Sequence, residues 1–286
     1  MKQHPHDFIL TIACPDAKGI VFRVSEFLFQ RQCNILDSAQ FGDDETGLFF
    51  LRIHFEHAGE QTQAEIEAAF TPLASQLQMT WRLHSAKRRS RVLVMVSRQG
   101  HCLNDLMFRW STGQLPIEIT GVISNHRDHE TLVAHHKTPF YYLPVDPANK
   151  AAQEQEVLKI MQSTQVDFVV LARYMQILSA DLCQQLEGRA INIHHSFLPS
   201  FKGAKPYEQA HSRGVKIIGA TAHYVTTDLD EGPIIEQDTE RVDHSVNAAD
   251  LTSIGADIEC RVLARAVKWH AEHRILINGK KTVVFR

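Results

Sequence analysis

From Arg91 to Ile193 short apolar runs alternate with stretches of helical period, and no other feature restricts the fold as much. Val92 to Ser97 (VLVMVS) is a continuous apolar run, as expected of a strand covered on both faces of a parallel sheet. Ile117 to Ile123, Phe140 to Leu143, Phe168 to Leu171 and Ala190 to Ile193 read as further strands. Between them, Cys102 to Trp110 places Leu103, Leu106, Met107 and Trp110 on one helical side. Ala148 to Ser163 and Ser179 to Leu186 are the other helices. The pattern predicts a doubly wound, mostly parallel α/β sheet, whose ligands gather at the carboxyl ends of the strands. Beyond it, Ile217 to Val225 and Ile234 to Thr239 read as longer, partly polar strands flanking a loop at Thr226 to Pro233. Asn247 to Glu272 reads as a long helix, and Asn278-Gly279 between apolar runs signals a closing hairpin.

The first part of the chain follows another rhythm. Phe8 to Ala13 is a short apolar strand, and Gly19 to Gln32 carries Ile20, Val24, Phe27 and Leu28 at helical spacing. Asn34 to Phe41 and Leu48 to Phe55 are strands joined by a turn-rich loop. Gln63 to Leu77 is helical, although Pro72 is expected to kink or interrupt it, and Met79 to His84 is a last strand. The order is βαββαβ, a ferredoxin-like α+β arrangement. The basic cluster Lys87-Arg88-Arg89-Ser90-Arg91 reads as a solvated linker. The expected domains are therefore 1–86 and 92–286, with 87–91 between them.

Among 286 residues the formal net charge is −3, which argues against bulk capture of nucleic acid or an anionic membrane. No window approaches a membrane span, and the opening residues lack an apolar segment of signal-peptide length. Five scattered cysteines without a CxxC pair suggest reduced thiols, so the expectation is a soluble, cytoplasmic protein. Seventeen histidines invite a metal, but no HExxH occurs, and the histidines of 126–136 read as a polar surface.

The loop after Val92–Ser97 has one glycine, with neither GxGxxG nor GxxxxGK[ST], and no GxSxG occurs. The strand end Ala190-Ile-Asn192-Ile-His194-His195 is more informative. Residues two apart on a strand share a face, so Asn192 and His194 project together while Ile191 and Ile193 pack inward. An amide and an imidazole aimed together form a candidate oxyanion site, although Asn192 serving only loop backbone is the plainer reading. Asp228-Leu-Asp230-Glu-Gly-Pro joins two strands of the same domain, so a carboxylate there can reach the neighbouring strand end, orient an imidazole and accept a proton from water. A solvated turn is the alternative.

Asn192-Ile-His194 followed by Ser-Phe-Leu-Pro-Ser-Phe-Lys-Gly, then Thr221-Ala-His-Tyr-Val and Leu229-Asp230-Glu-Gly-Pro, resembles the formyltransferase family acting on 10-formyltetrahydrofolate, over roughly residues 91–286. The resemblance implies that Asn192 and His194 stabilise a tetrahedral oxyanion and that Asp230 assists proton transfer. It implies that Met175, Gln176, Ile177 and Leu178, with Asp228, lie against the folate. It implies no metal and no cofactor beyond the folate substrate.

Several branches of that family fit poorly. The Gly-rich phosphate loop of glycinamide ribonucleotide transformylases is replaced by Ser97-Arg98-Gln99-Gly100-His101-Cys102, and the backbone cradle for a phosphate goes with it. The chain also has no room for an aldehyde-oxidising domain, and too little follows the long helix for a tRNA-binding one. Instead Asp16-Ala-Lys-Gly19-Ile-Val and Cys33-Asn34-Ile35 resemble an ACT regulatory domain. An ACT domain ahead of a formyltransferase-like domain is the layout of the formyltetrahydrofolate deformylase family, and Arg98-Gln-Gly-His-Cys-Leu-Asn-Asp-Leu and Phe201-Lys-Gly-Ala-Lys-Pro-Tyr are similar to it. The resemblance implies hydrolysis of 10-formyltetrahydrofolate to formate and tetrahydrofolate, supplying formate and balancing one-carbon pools for purine synthesis. It also implies an amino-acid effector such as glycine or methionine near Asp16, Gly19 and Asn34, and a homo-oligomer. Two alternatives stay open: transfer to an amine acceptor such as a nucleotide sugar, or a catalytically silent folate-binding regulator.

Overall fold

A computed structural model describes residues 7–57, 59, 61–146, 148–198 and 206–286. Contacts divide the chain into two compact units, residues 1–89 with 272–278 and 283–286, and residues 90–271 with 279–282. The C-terminal segment, assigned by pattern to the second domain, thus groups largely with the first.

The first unit runs β1 (Asp7–Pro15), α1 (Ile20–Gln30), β2 (Cys33–Asp43), β3 (Leu48–His57), α2 (Gln63–Gln76) and β4 (Thr80–Ser85). Its antiparallel sheet has the order β2-β3-β1-β4, the ferredoxin-like arrangement. Strand β3 is buried on both faces. Leu51, Ile53 and Phe55 join Val24, Leu28, Ile66 and Phe70 in one core, while Phe50 packs with Leu276 and Phe285 in another. That second cluster explains the grouping of the C-terminal segment. Helix α2 runs through Pro72 without a break. A capping box joins Thr62 and Glu65, and Ile66, Phe70 and Ala74 are buried on both sides of the proline. Cap and burial together offset the one backbone hydrogen bond that a proline removes.

The second unit contains β5 (Ser90–Val96), α3 (His101–Ser111), β6 (Ile117–Ser124), α4 (Glu130–His135), β7 (Phe140–Tyr142), α5 (Lys150–Ser163), β8 (Phe168–Leu171) and α6 (Ala180–Gln185). It continues with β9 (Ala190–His194), α7 (Pro206–Ser212), β10 (Ile217–Tyr224), β11 (Ile234–Arg241) and α8 (Ala248–Ala271). The sheet order is β11-β10-β9-β8-β5-β6-β7. Strands β5 to β9 pair in parallel, while β10 and β11 add an antiparallel edge. Because β6 lies on one side of β5 and β8 on the other, the winding reverses at β5, which is where such sheets open a crevice. On one face Leu93, Met95, Val169 and Leu171 pack with Val157, Ile160 and Leu182 from α5 and α6. The chain ends in the hairpin of β12 (Ile275–Asn278) and β13 (Lys281–Val284), turning at Gly279 with φ +58°.

One further expectation needs correction. Ser90 and Arg91 belong to β5 rather than to a linker. Arg91 donates from its backbone to Asp167, from Nε to the Thr164 carbonyl and from Nη1 to Glu118. The histidine-rich stretch 126–136 includes helix α4, too short at six residues to show a helical period. All five cysteines are free, and no helix among the described residues is long and apolar enough to cross a membrane.

Candidate active site

The C-terminal end of β9 delivers Asn192 and His194 to one face, as their spacing predicts. Asp230 reaches them from the loop between β10 and β11. Its Oδ2 lies 3.3 Å from His194 Nδ1, and its Oδ1 lies 3.6 Å from His223 Nε2. The loop comes this close because Gly232 passes against β10. A Cβ there would stand 1.8 Å from the Tyr224 carbonyl oxygen, so only glycine fits. Asp230 itself has φ +58°, a left-handed backbone that non-glycine residues rarely adopt and that clusters at functional sites.

His223 is the residue the motif reading left without a role. It pairs with Asn192 across β9 and β10, and is 2% exposed. Its Nδ1 lies 2.9 Å from the Tyr224 carbonyl, which can only accept, so Nδ1 carries a proton. In the neutral ring Nε2 is then the acceptor for the Asn192 amide at 3.2 Å. This fixes which way the amide points and leaves its second N–H free. The loop after β9 is pinned as well. Thr221 Oγ1 donates to the Ser196 carbonyl and accepts from the Leu198 N–H, while Gln237 donates to both Thr221 Oγ1 and the Leu198 carbonyl.

The hydrogen bond from His194, more than any other contact, holds the Asp230 carboxyl far below the usual carboxylate range, against the upward push of burial. Ionised at neutral pH, Asp230 can orient His194, steady positive charge and accept a proton.

These residues line a cavity of about 460 Å³. Met175, Gln176, Ile177, Leu178 and Asp228 line it too, so it gathers every residue expected at catalysis or folate binding. Met175, Ile177 and Leu229 are more than half exposed in its wall. Apolar walls with a few converging polar groups suit a flat heteroaromatic ligand. The residues expected at an effector lie in the first unit. Gly19 precedes α1 with φ +89°, the Asp16 N–H donates to the Gly47 carbonyl, and the Asn34 amide donates to Glu56 Oε1 at 3.0 Å. Phe201 to Lys205 lie outside the described residues.

A second cavity of about 650 Å³ opens at the ends of β5, β6 and β8. Glu259 of α8, 1% exposed, forms part of its wall. It lies 2.7 Å from His101 Nε2, accepts from the Tyr207 hydroxyl at 2.9 Å, and has Arg173 Nε at 3.5 Å. Burial pushes this carboxyl up, but His101 and Arg173 outweigh it and leave its pKa lowered. The seat of Tyr207 depends on Gly255, where a Cβ would stand 2.0 Å from the hydroxyl. His101, Cys102 and Glu259 also place donor atoms within 4.8 Å of one another, the one such metal-compatible grouping among the described residues. There the carboxylate already has three protein partners.

A strand-end Asn–His pair backed by an aspartate, at the reversal point of a parallel sheet, defines a class of acyl-transfer site. In agreement, a family model described as formyl transferase matches residues 90–267, and the chain belongs to that family. A glycinamide ribonucleotide transformylase from Symbiobacterium toebii superposes with a TM-score of 0.65 at 29% identity, covering 69% of this chain and 95% of its own. More similar are proteins named formyltetrahydrofolate deformylase. The one from Bacillus subtilis is 51% identical over 96% of this chain and 93% of its own length. The crystal structure of the one from Burkholderia mallei superposes with a TM-score of 0.94 at 49% identity, covering 99% of this chain and all of its own.

Proposed function

We propose that the protein hydrolyses 10-formyltetrahydrofolate to formate and tetrahydrofolate, with no cofactor beyond its folate substrate. The carrying observation is that likeness to deformylases extends over both units, whereas the transformylase covers 69% of the chain. In this reading the folate ring lies against Met175 to Leu178, and the formyl group sits beside Asn192 and His194. The free N–H of Asn192 and the His194 ring stabilise the oxyanion as the formyl carbon becomes tetrahedral. Asp230 holds His194 in place and accepts a proton as water attacks the formyl carbon, and His223 holds Asn192.

The deciding experiment is incubation with 10-formyltetrahydrofolate alone, following formate and tetrahydrofolate. Release of both without an acceptor is expected. Loss of the formyl group only when an amine is added would make the protein a transferase, for which the second cavity offers room, and no turnover would make it a folate-binding regulator.

The first unit is proposed to be an ACT module that takes an amino acid such as glycine or methionine near Asp16, Gly19 and Asn34. Its exposed β2, with Ile35, Leu36 and Phe41 at the surface, supports pairing with a second copy. Work in the cytoplasm, supplying formate and balancing one-carbon pools for purine synthesis, completes the proposal.

A further inference from the structure

We propose that Ser97 is a positioning residue for the substrate, holding the segment against which the folate ring lies. This role rests on the placement of the ring against Met175 to Leu178 and supplies what keeps that segment in shape. Between the end of β8 at Leu171 and the start of α6 at Ala180 the chain is neither helix nor strand. Its entry is strained, because Arg173 holds a left-handed φ of +64°. Such a backbone persists only where its surroundings over-determine it. Packing does not do so here, since Met175 and Ile177 are more than half exposed.

Ser97, buried just after β5, grips the strained turn from both sides. Its N–H donates to the Arg173 carbonyl at 3.2 Å, and its Oγ accepts from the Met175 N–H at 3.0 Å. A backbone N–H can only donate, so the hydroxyl proton goes to Asn125 Oδ1 at 2.8 Å. Asn125, buried just after β6, thereby aims the Ser97 lone pair at Met175. Among the described residues no other hydrogen bond reaches the main chain from Tyr174 to Leu178. The next anchor is Ser179, whose N–H donates to buried Glu154 at 2.8 Å. The front of the segment therefore hangs on one side-chain oxygen.

The groups that meet the formyl carbon come from elsewhere. Asn192 and His194 stand on β9, and Asp230 on the loop between β10 and β11. Loss of the Ser97 hydroxyl loosens the surface under the ring and leaves those groups where they are. Folate affinity falls, while the rate of the bound complex changes little.

The test measures KM and kcat on 10-formyltetrahydrofolate, and Kd for tetrahydrofolate alone, in the wild-type chain and in Ser97→Ala. KM and Kd should both rise about tenfold, with kcat within about threefold of the wild type. Ser97→Cys, close in size but a weak acceptor, should show the same split if the alanine variant folds poorly. A merely structural serine would lower the unfolding midpoint and leave KM and Kd unchanged, which would overturn the proposal. A fall in kcat at unchanged Kd would overturn it too. Ile177→Asp, a change in the contact surface itself, should also raise Kd; if it does not, the placement of the folate is wrong and this inference falls with it. If the wild type binds tetrahydrofolate but releases no formate, the hydrolase reading fails, and the Kd comparison still decides the role of Ser97.

Discussion

Each unit buries one arginine, and the two are used in opposite ways. Arg52 of β3 is 2% exposed, and its guanidinium is fully clasped. It donates to Asp37 and to the carbonyls of Glu272 and His273, so it ties a strand to the C-terminal segment of its own unit. Arg173, 7% exposed, follows β8 with a left-handed φ of +64° and donates to Gln99. It stands in the wall shared by the two cavities. Burial of a charge closes the fold in the first case and holds a charge at the edge of open space in the second. Burial alone therefore does not mark function; what matters is whether the polar partners saturate the group or leave it facing a cavity.

That contrast can be broken by separating rate from stability. Asp230→Asn keeps the side-chain shape and removes the charge that organises His194 and His223. It should lower kcat roughly 10³-fold, about 4 kcal/mol of barrier, with folate binding and the unfolding midpoint little changed. Turnover near wild type would remove Asp230 from the site. In the first unit the expected pattern reverses. Arg52→Ala removes the guanidinium's hydrogen bonds to Asp37 and two carbonyls and opens a void, a loss of roughly 2–4 kcal/mol in urea unfolding. Half-exposed Asp37 contributes little of this, because its charge is screened by solvent. Arg52→Met, which refills the volume, should recover part of the loss, and kcat per folded molecule should not move. A fall in kcat with Arg52→Ala would show that the two units are not functionally separable.

What the sequence discloses and what it hides follow from the same physics. The strands of the parallel sheet are legible because burial on both faces demands unbroken apolar runs such as Val92 to Val96. Asn192 and His194 are legible because two-residue spacing on a strand places them on one face. His223 is not, since its role depends on the register that sets it opposite Asn192, and that register forms only when β9 meets β10. Glu259 reads as an ordinary surface residue of a long helix, yet it is buried among His101, Tyr207 and Arg173. The one faint signal is Gly255 four residues earlier, a costly residue in mid-helix that makes sense once the Tyr207 ring must fit against it. The attachment of Leu276 and Phe285 to the first unit was equally hidden, because an apolar hairpin does not state which core it will join.

Two half-buried histidines provide the finest test of the contrast. His84 in the first unit stacks on His273 at 3.6 Å, and burial with nearby Arg82 and Arg88 lowers its pKa to about 4. His195 in the second unit is lowered to the same value by burial, Arg173 and His194. Both folded values lie below the ordinary histidine value of about 6.5. As pH falls from there towards 4, the unfolded chain takes up protons that the folded chain refuses. Stability is therefore fully present above that window, declines through it, and levels off below it. Each ring should contribute on the order of 1–2 kcal/mol to the decline once solvent screening is allowed for. His84→Gln should flatten part of the slope in midpoint against pH and leave kcat alone. His195→Gln should flatten a similar part and, because the ring stacks on His194, also lower kcat. If His84→Gln slowed turnover as well, the first unit would be acting on the chemistry of the second rather than folding beside it.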